Sequence, residues 1–208
     1  MDAVASSPSL TARIRARVVD PRAWAVLEAA YSSFLQFGLR RTSMQDIADR
    51  AGMSRAALYL HYRNKEDIFH ALMEAYFAAA AEAVAEALAS HDDPVEAIAA
   101  GFAAQMGDAA EMMMQSPHAD ELLSAKHGAG RDIVSRGQAR LVQVYGDWLA
   151  GELMAGRVAV DAVGAHPHET AAAMLAAFDG LKQAGLDWPG LLAARDRLAQ
   201  LFGRALRP

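Results

Sequence analysis

Two short helical patterns separated by a tight turn, within residues 43–60, constrain the fold of this chain more than any other feature. Ser43 and Asp46 have the spacing of a capping box, in which a hydroxyl and an acid three residues later close the start of a helix. Gly52 permits the left-handed backbone of a tight turn, and Ser54 suits the N-cap of a second short helix. The spacing predicts a helix, a turn and a second helix packed across the first.

The residues between these signals suit two helices that cross closely. Ala48, Ala51 and Gly52 are small where the helices must approach, and the outward face of the second helix begins with Arg55. A helix-turn-helix presents the N-terminal half of its second helix to the major groove of DNA. The pattern therefore indicates a DNA-reading helix-turn-helix in residues 42–65.

Helical periodicity continues through the rest of the chain, and no segment alternates polar and apolar residues for long. Asp20 and Pro21 begin a first helix that Gly38 ends as a C-cap, and Asn64 begins a long helix that runs to about Ser90. Further helices are predicted at 94–106, 109–115, 119–127, 131–155, 168–184 and 188–206, with linkers at 128–130 and 156–167. The chain is predicted to be all-α.

Charge is distributed unevenly along the 208 residues. Residues 1–65 hold ten Lys and Arg against five Asp and Glu, whereas residues 66–208 hold ten against twenty, so that +5 and −10 make up the overall −5. A basic N-terminal third on an acidic body predicts an electrostatic footprint for DNA that is confined to one end of the protein.

Composition narrows the class of protein further. The chain has no cysteine, which excludes disulfides and thiolate metal sites. The sequence contains no uninterrupted run of about 18 apolar residues, the length that a membrane span needs. The first ten residues lack the basic and apolar regions of a signal peptide. We expect a cytoplasmic protein without a membrane partner.

The run from Phe37 to Ala71 closely resembles the N-terminal domain of the TetR family of repressors. The matching features are Thr42-Ser43 before Asp46-Ile47-Ala48, then Ala51-Gly52-Met53-Ser54, Leu58-Tyr59, Tyr62 and Asn64-Lys65-Glu66. The resemblance implies a disordered or basic lead-in at 1–19 and a three-helix helix-turn-helix domain at 20–66. It also implies a C-terminal helical domain at 67–208 that binds an effector and forms a dimer.

The resemblance further implies nine residues that contact DNA. They are Thr42, Ser43 and Gln45 for the DNA backbone, Arg55, Ala56 and Ala57 for base edges, and Tyr59, His61 and Lys65 for phosphates. Position 57 often carries a hydroxyl in the family, whereas Ala57 offers only a methyl group. Arg55 is then the one side chain here that can bind guanine through two hydrogen bonds. We expect specificity to depend strongly on dimer spacing, methyl contacts and DNA shape.

The family's regulatory cycle implies a homodimer on a palindromic operator, released by a small hydrophobic effector. Small residues in 168–184 and apolar residues in 131–155 suit a four-helix interface between subunits, although the same residues can instead close the core of one subunit. Apolar residues with a polar anchor are candidates for the effector pocket: Phe102, Met106, Met113, His118, Trp148, Met174 and Phe178, with His127 as a second possible anchor.

Two other classes of function remain open from the residues alone. An all-α metal-dependent enzyme would use the histidines and acids of 118–127 or 166–169, but neither group has the histidine pair and intervening acid of a zinc-protease helix. A nonspecific architectural DNA-binding protein needs positive charge over a wide surface, and here the positive charge is confined. We therefore expect no catalytic residue, no cofactor and no metal.

Overall fold

The computed structural model describes residues 8–127 and 130–208, without the side chains of residues 125–127. The first seven residues of the predicted lead-in, residues 128–129 of a predicted linker and the side chain of His127 lie outside the described residues. The described part is helical and contains no strand, which confirms the all-α prediction.

Eleven helices are present in the described ranges. They are α1 Leu10–Arg17, α2 Pro21–Arg41, α3 Met44–Arg50, α4 Arg55–His61, α5 Lys65–Ala89, α6 Pro94–Met114, α7 Ala119–His127, α8 Arg131–Met154, α9 Val160–Val163, α10 Pro167–Lys182 and α11 Trp188–Leu206. The helices predicted at 94–106 and 109–115 are the two parts of α6, which is broken at Gly107.

Helix α1 lies where the sequence indicated a lead-in, and α9 lies in a predicted linker. The side chain of Ser9 accepts a hydrogen bond from the amide of Ala12, which caps the start of α1. Leu10 and Ile14, one helical turn apart, are both buried. The structure therefore differs from the expected disordered segment because these two side chains find apolar partners elsewhere in the chain.

The chain divides into two compact units. Unit 1 comprises the described residues up to Ala79 together with Gly107–Val134, and unit 2 comprises Ala80–Met106 and Ser135–Pro208. The division does not coincide with the boundary predicted at residues 66 and 67. The second half of α6 and all of α7 belong with the N-terminal helices.

The core of unit 1 is built on side chains that are almost wholly inaccessible. Phe34, Ile47 and Leu58 come from α2, α3 and α4, and each is at most 1% exposed. The ring of Phe34 meets that of Phe69 edge-on, with centroids 6.2 Å apart. Leu122 of α7 joins the same cluster. The helix-turn-helix therefore shares its core with a helix about seventy residues further along the chain.

Unit 2 has its own aromatic core. The rings of Phe102 and Phe178 are stacked with centroids 4.3 Å apart, and Tyr145 lies against Phe102 at 5.9 Å. Leu141 and Leu149, on the same face of α8 as Tyr145, are also buried. Apolar residues repeated at helical spacing therefore bring α6, α8 and α10 together.

Helix α5 is the one helix in the described ranges that is long and apolar enough to cross a bilayer by length and composition. Several of its large apolar side chains are nevertheless buried by other helices of the protein. Ile68 and Phe69 are buried in the core of unit 1, and Val84 and Leu88 are buried in unit 2. These four side chains are therefore covered by protein, two of them in each unit.

Gly107 allows the second half of α6 to join unit 1. Its backbone has φ 57° and ψ −175°, a conformation that is essentially restricted to glycine. A Cβ at this position would lie 2.7 Å from the Cβ of Leu10. The next residue, Asp108, accepts a hydrogen bond of 3.1 Å from the amide of Thr11. The break in α6 therefore provides both the space and the acceptor that hold α1.

Replacing Gly107 by alanine should destabilise the protein because it adds backbone strain and a steric clash with Leu10. Gly52→Ala is the matched control, since Gly52 also has a positive φ but would meet no atom within 4 Å. We expect Gly107→Ala to lower the free energy of unfolding by about 2 kcal/mol more than Gly52→Ala. Urea titration measures both, and equal losses would show that Leu10 does not press on Gly107.

Candidate nucleic-acid interface

The start of α3 carries the capping box that the sequence predicted. The hydroxyl of Ser43 accepts a hydrogen bond of 3.2 Å from the amide of Asp46, and the carboxylate of Asp46 accepts one of 2.8 Å from the amide of Ser43. The hydroxyl of Ser43 also donates to that carboxylate at 2.7 Å. These bonds to the charged form lower the pKa of Asp46, because protonation would weaken them.

The turn between α3 and α4 is held by backbone hydrogen bonds. The amide of Met53 donates to the carbonyl of Ala48 at 3.0 Å, and the amide of Gly52 donates to the carbonyl of Asp49 at 3.2 Å. The hydroxyl of Ser54 accepts from the amide of Ala57 at 3.1 Å, which confirms Ser54 as the N-cap of α4. Both helices of the motif therefore begin at the residues that the sequence indicated.

The outward face of α4 contains the residues expected to read bases. Arg55 and Ala56 are exposed, and Ala57 is partly buried. The guanidinium of Arg55 lies 5.4 Å from the centre of the Tyr59 ring and donates to its hydroxyl at 3.2 Å. Tyr59 is 43% exposed, so the two side chains hold each other on an accessible surface.

Leu60 is a residue of this face that sequence reasoning missed. Its side chain is 86% exposed, next to Tyr59 and the exposed His61. An aliphatic side chain that is almost wholly exposed to solvent offers an apolar surface on which a binding partner can pack. Periodicity contains a signal for it, since Leu58 occupies the buried position of α4 and Leu60 is two residues away on a helix.

Three predicted contacts at the start of α3 differ in what their side chains do. Ser43 and Gln45 are exposed, although the side-chain amide of Gln45 already donates a hydrogen bond of 2.7 Å to the carboxylate of Asp49. Thr42 is only 1% exposed, and its hydroxyl donates to the carbonyl of Gly38 at 2.7 Å. The structure therefore brings Ser43 and Gln45 to the surface and places the Thr42 side chain inside.

Lys65 closes the end of α2. Its ammonium donates to the carbonyls of Arg40 at 2.8 Å and Thr42 at 2.9 Å. A lysine at the C-terminal end of a helix satisfies carbonyls that have no partner within the helix. Since an ammonium has three donors, one remains for another acceptor.

Exposed arginines surround the motif. Arg40 and Arg41 end α2, and neither was among the predicted contacts, although a basic pair directly before Thr42 is a signal for them. Arg63 is highly exposed and pairs with Asp67 at 2.9 Å. These exposed arginines are further candidates for contact with phosphates.

Helix α7 and the turn before it contact the C-terminal part of α2. The amide of Arg40 donates to the carboxylate of Glu121 at 2.6 Å, and the hydroxyl of Ser116 donates to the carbonyl of Leu35 at 2.7 Å. His118, predicted as a polar anchor of the effector pocket, lies beside Gly38. Among the described residues, no group of three His, Asp or Glu is arranged to hold a metal ion.

The predicted pocket residues are separated in the structure. Phe102, Met106, Met174 and Phe178 are buried side chains of unit 2. Trp148, also in unit 2, has a buried indole N–H that has no hydrogen-bond partner in the described part of the chain. Met113 instead belongs to unit 1, where it lines a cavity of about 270 Å³.

This cavity in unit 1 was not foreseen. Its walls come from α1, α2, α5 and the second half of α6, and they include the aromatic side chains of Trp24, Tyr31 and Tyr76. Trp24 and Tyr31 lie seven residues apart, which places them on one face of α2. Helical spacing alone puts both side chains on one face, but only the packing of the four helices shows that this face lines a cavity.

The pKa of Asp46 gives a direct measurement of the capping box. NMR titration should find the pKa of Asp46 below its usual value in the native protein and nearer that value in Ser43→Ala. Because the folded-state pKa is lowered, the stabilisation is present at neutral pH and is lost as the pH falls through the lowered value. Ser43→Ala should also cost about 1 kcal/mol as the loss of an N-cap.

The matched control for this titration is Ser54→Ala, which removes the cap of α4 and should leave the pKa of Asp46 unchanged. An ordinary pKa for Asp46 in the native protein would contradict the capping geometry.

The N-terminal helices are similar to a family of known proteins. Residues 26–72 match the model of the bacterial regulatory proteins of the tetR family. Over 49 residues the chain is 41% identical to the transcriptional regulator TtgR of Pseudomonas putida, covering 24% of this chain and 23% of TtgR. It is 38% identical over 58 residues to the transcriptional repressor KstR2 of Mycobacterium tuberculosis, covering 28% and 29%. The matches span about a quarter of these relatives' length.

Solved structures are similar over nearly the whole chain. A transcriptional regulator from Cytophaga hutchinsonii has a TM-score of 0.70 at 17% identity, over 91% of this chain and 100% of its own. SmeT, the repressor of a multidrug efflux pump of Stenotrophomonas maltophilia, has a TM-score of 0.64 at 20% identity, over 91% and 92%. Residues 26–72 thus match the N-terminal domain of the tetR family model, and the chain as a whole has the helical fold of these solved structures.

Proposed function

We propose that this protein is a transcriptional repressor of the TetR type, which leaves a palindromic operator when a small hydrophobic effector binds. The observation that carries the proposal is the exposed face of α4, flanked by exposed arginines, in a domain that matches the family. Since a regulator acts where the chromosome is, we place the protein in the cytoplasm.

In the proposed complex the N-terminal half of α4 enters the major groove. Arg55 and Ala56 face base edges, with Ala57 behind them, and Tyr59 and His61 contact phosphates. At the start of α3, Ser43 and Gln45 lie at the exposed surface beside the DNA backbone. Leu60 adds an apolar surface that fits a thymine methyl group.

Two residues of the original set act differently in this proposal. The buried hydroxyl of Thr42 holds the end of α2 and so positions Ser43 without touching DNA. Lys65 donates two of its three N–H bonds to the carbonyls of Arg40 and Thr42. Its third N–H can donate to a phosphate. Arg40 and Arg41 join the candidates for phosphate contact.

Arg55 must leave Tyr59 to read a guanine. Their contact is a hydrogen bond of 3.2 Å and a cation–π interaction on an exposed surface, where such an interaction is worth about 0.5–1 kcal/mol. Two hydrogen bonds to guanine provide about 1–3 kcal/mol of discrimination. The contact is thus weak enough for a base to displace it, and Tyr59 holds the arginine on the exposed surface in the absence of DNA.

Arg55→Ala should remove the preference for one base pair in each half of the operator. The measurement compares a palindrome from the DNA next to the protein's own gene with its single-base variants at constant salt. Discrimination at that position should fall by about 1–3 kcal/mol. Arg63→Ala is the control, because it removes the same charge from an exposed side chain outside α4. A loss from Arg55→Ala that is equal for all sequences would show a phosphate contact instead.

Helix α10 supports the proposed homodimer. Ala172, Ala173, Ala176 and Gly180 are exposed on it, and they recur at the spacing of one helical face. Small exposed residues let a second helix approach closely. In a dimer of this kind the two recognition helices meet successive major grooves, about 34–36 Å apart.

Ala176→Arg should convert the dimer to a monomer, because a long charged side chain blocks close approach at the centre of this face. Sedimentation analysis measures the change. Ala193→Arg, an equal substitution at an exposed position of α11, should leave the dimer intact. A dimer that survives Ala176→Arg would place the interface elsewhere.

One solved structure with this fold supports a small-molecule effector. SmeT, which shares this fold at 20% identity, has been solved with triclosan. In this chain we propose that the effector changes the equilibrium between a dimer that matches the groove spacing and one that does not.

A further inference from the structure

The cavity of unit 1 has the features of a ligand site. We infer that it binds an apolar small molecule that carries one positive charge, with the charge at Glu28. The inference deepens the proposed function and rests on it only in naming this molecule as the effector. The site lies among the helices of the DNA-binding unit itself, and not among the buried aromatic side chains of unit 2.

The cavity walls are apolar and come from helices that face one another. Trp24 and Tyr31 of α2 lie on one wall, Leu72 and Tyr76 of α5 on another, and Met113 of α6 on a third. The volume of about 270 Å³ holds a molecule of one or two rings. Filling an apolar cavity restores dispersion contacts that its lining otherwise lacks, so such a molecule is stabilised by every wall.

Two hydrogen bonds fix the helices that form the cavity walls at set positions. The hydroxyl of Tyr31 donates to the carbonyl of Ala109 at 2.5 Å and so fixes α2 against α6. The carboxylate of Asp108 accepts from the amide of Thr11 and fixes α1 against α6. Burial and the charge of Asp108 raise the pKa of Tyr31, so its hydroxyl remains a donor at neutral pH. These bonds set the positions of α1 and α2 against the second half of α6, and so part of the shape of the cavity.

Charge selects the ligand. Glu28 is the one ionisable carboxylate among the described lining residues, which include no lysine, arginine or histidine. It is exposed, and no hydrogen bond or ion pair engages it in the described part of the chain. The aromatic faces of Trp24, Tyr31 and Tyr76 attract cations, whereas an anion would meet the carboxylate of Glu28. The lining therefore fits a cation better than a neutral molecule or an anion.

The walls of the cavity continue into the DNA-reading motif. Helix α2 carries Trp24 and Glu28 and ends at the carbonyls that Lys65 binds, and Lys65 begins α5, which carries Tyr76. A ligand that separates α2 from α5 therefore strains the contact that holds the start of α3. The coupling needs no route outside unit 1.

Calorimetric titration of the full chain with 1-naphthylmethylammonium and with 1-naphthoate tests the site, because the two probes share a ring system and differ in charge. We expect the cation to bind and the anion not to bind. Glu28→Gln should weaken the cation about fivefold, as expected for an exposed ion pair. The control Glu111→Gln removes the same charge from α6 outside the cavity lining and should change nothing.

Ala110→Phe, which fills the cavity from α6, should abolish binding of the cation, with circular dichroism reporting whether the variant folds. Should it fail to fold, Glu28→Gln alone decides, because Glu28 is exposed. Absence of cation binding, equal binding of 1-naphthoate, or equal effects of Glu28→Gln and Glu111→Gln would each overturn the inference.

Operator binding separates this inference from the proposed function. Release of the operator by the cation in the native chain, but not in Ala110→Phe, supports the effector role. Cation binding that leaves operator affinity unchanged overturns that role. A protein that binds the cation but no operator at all would overturn the proposed function and leave the ligand site standing.

Discussion

Helices α3 and α4 have seven residues each, and helices this short do not persist alone in water. Their existence depends on one small apolar core, in which Ile47 and Leu58 are wholly buried against Phe34. Hydrogen bonds at their caps set where each helix begins, but burial supplies the free energy that keeps them folded. The presentation of Arg55 and its neighbours to solvent follows from the burial of Leu58.

That core is not closed by the N-terminal residues alone. Leu122 of α7 completes it, and Glu121 binds the amide of Arg40 at the end of α2. Gly107 breaks α6 so that its second half can enter the same unit and meet α1. The DNA-reading end of the protein is therefore built from two separate stretches of chain, and a change in the second stretch can reach the first through direct contacts.

Local signals predicted the motif well because caps and turns depend on neighbouring residues. Ser43, Ser54 and Asp20 cap the helices that the sequence assigned to them. Tertiary partners decided the features that were missed. Helix α1 is stabilised by the burial of Leu10 and Ile14 and by the carboxylate of Asp108, 97 residues from its partner Thr11. No local pattern contains a contact of that separation.

The candidate sites show the same division. Seven residues were grouped as a pocket because each is apolar or a possible anchor, yet the fold distributes them over two units, and Met113 is the one that lines the cavity of unit 1. The sequence by itself determined the all-α class, the caps of the helix-turn-helix and the outward position of Arg55 on α4, since these follow from helical period and from hydrogen bonds within a few residues. The tertiary structure alone decided that Thr42 is internal, that Lys65 closes α2 and that the second half of α6 packs in unit 1. Each of these depends on which distant helix is adjacent, and packing rather than local preference chooses that neighbour.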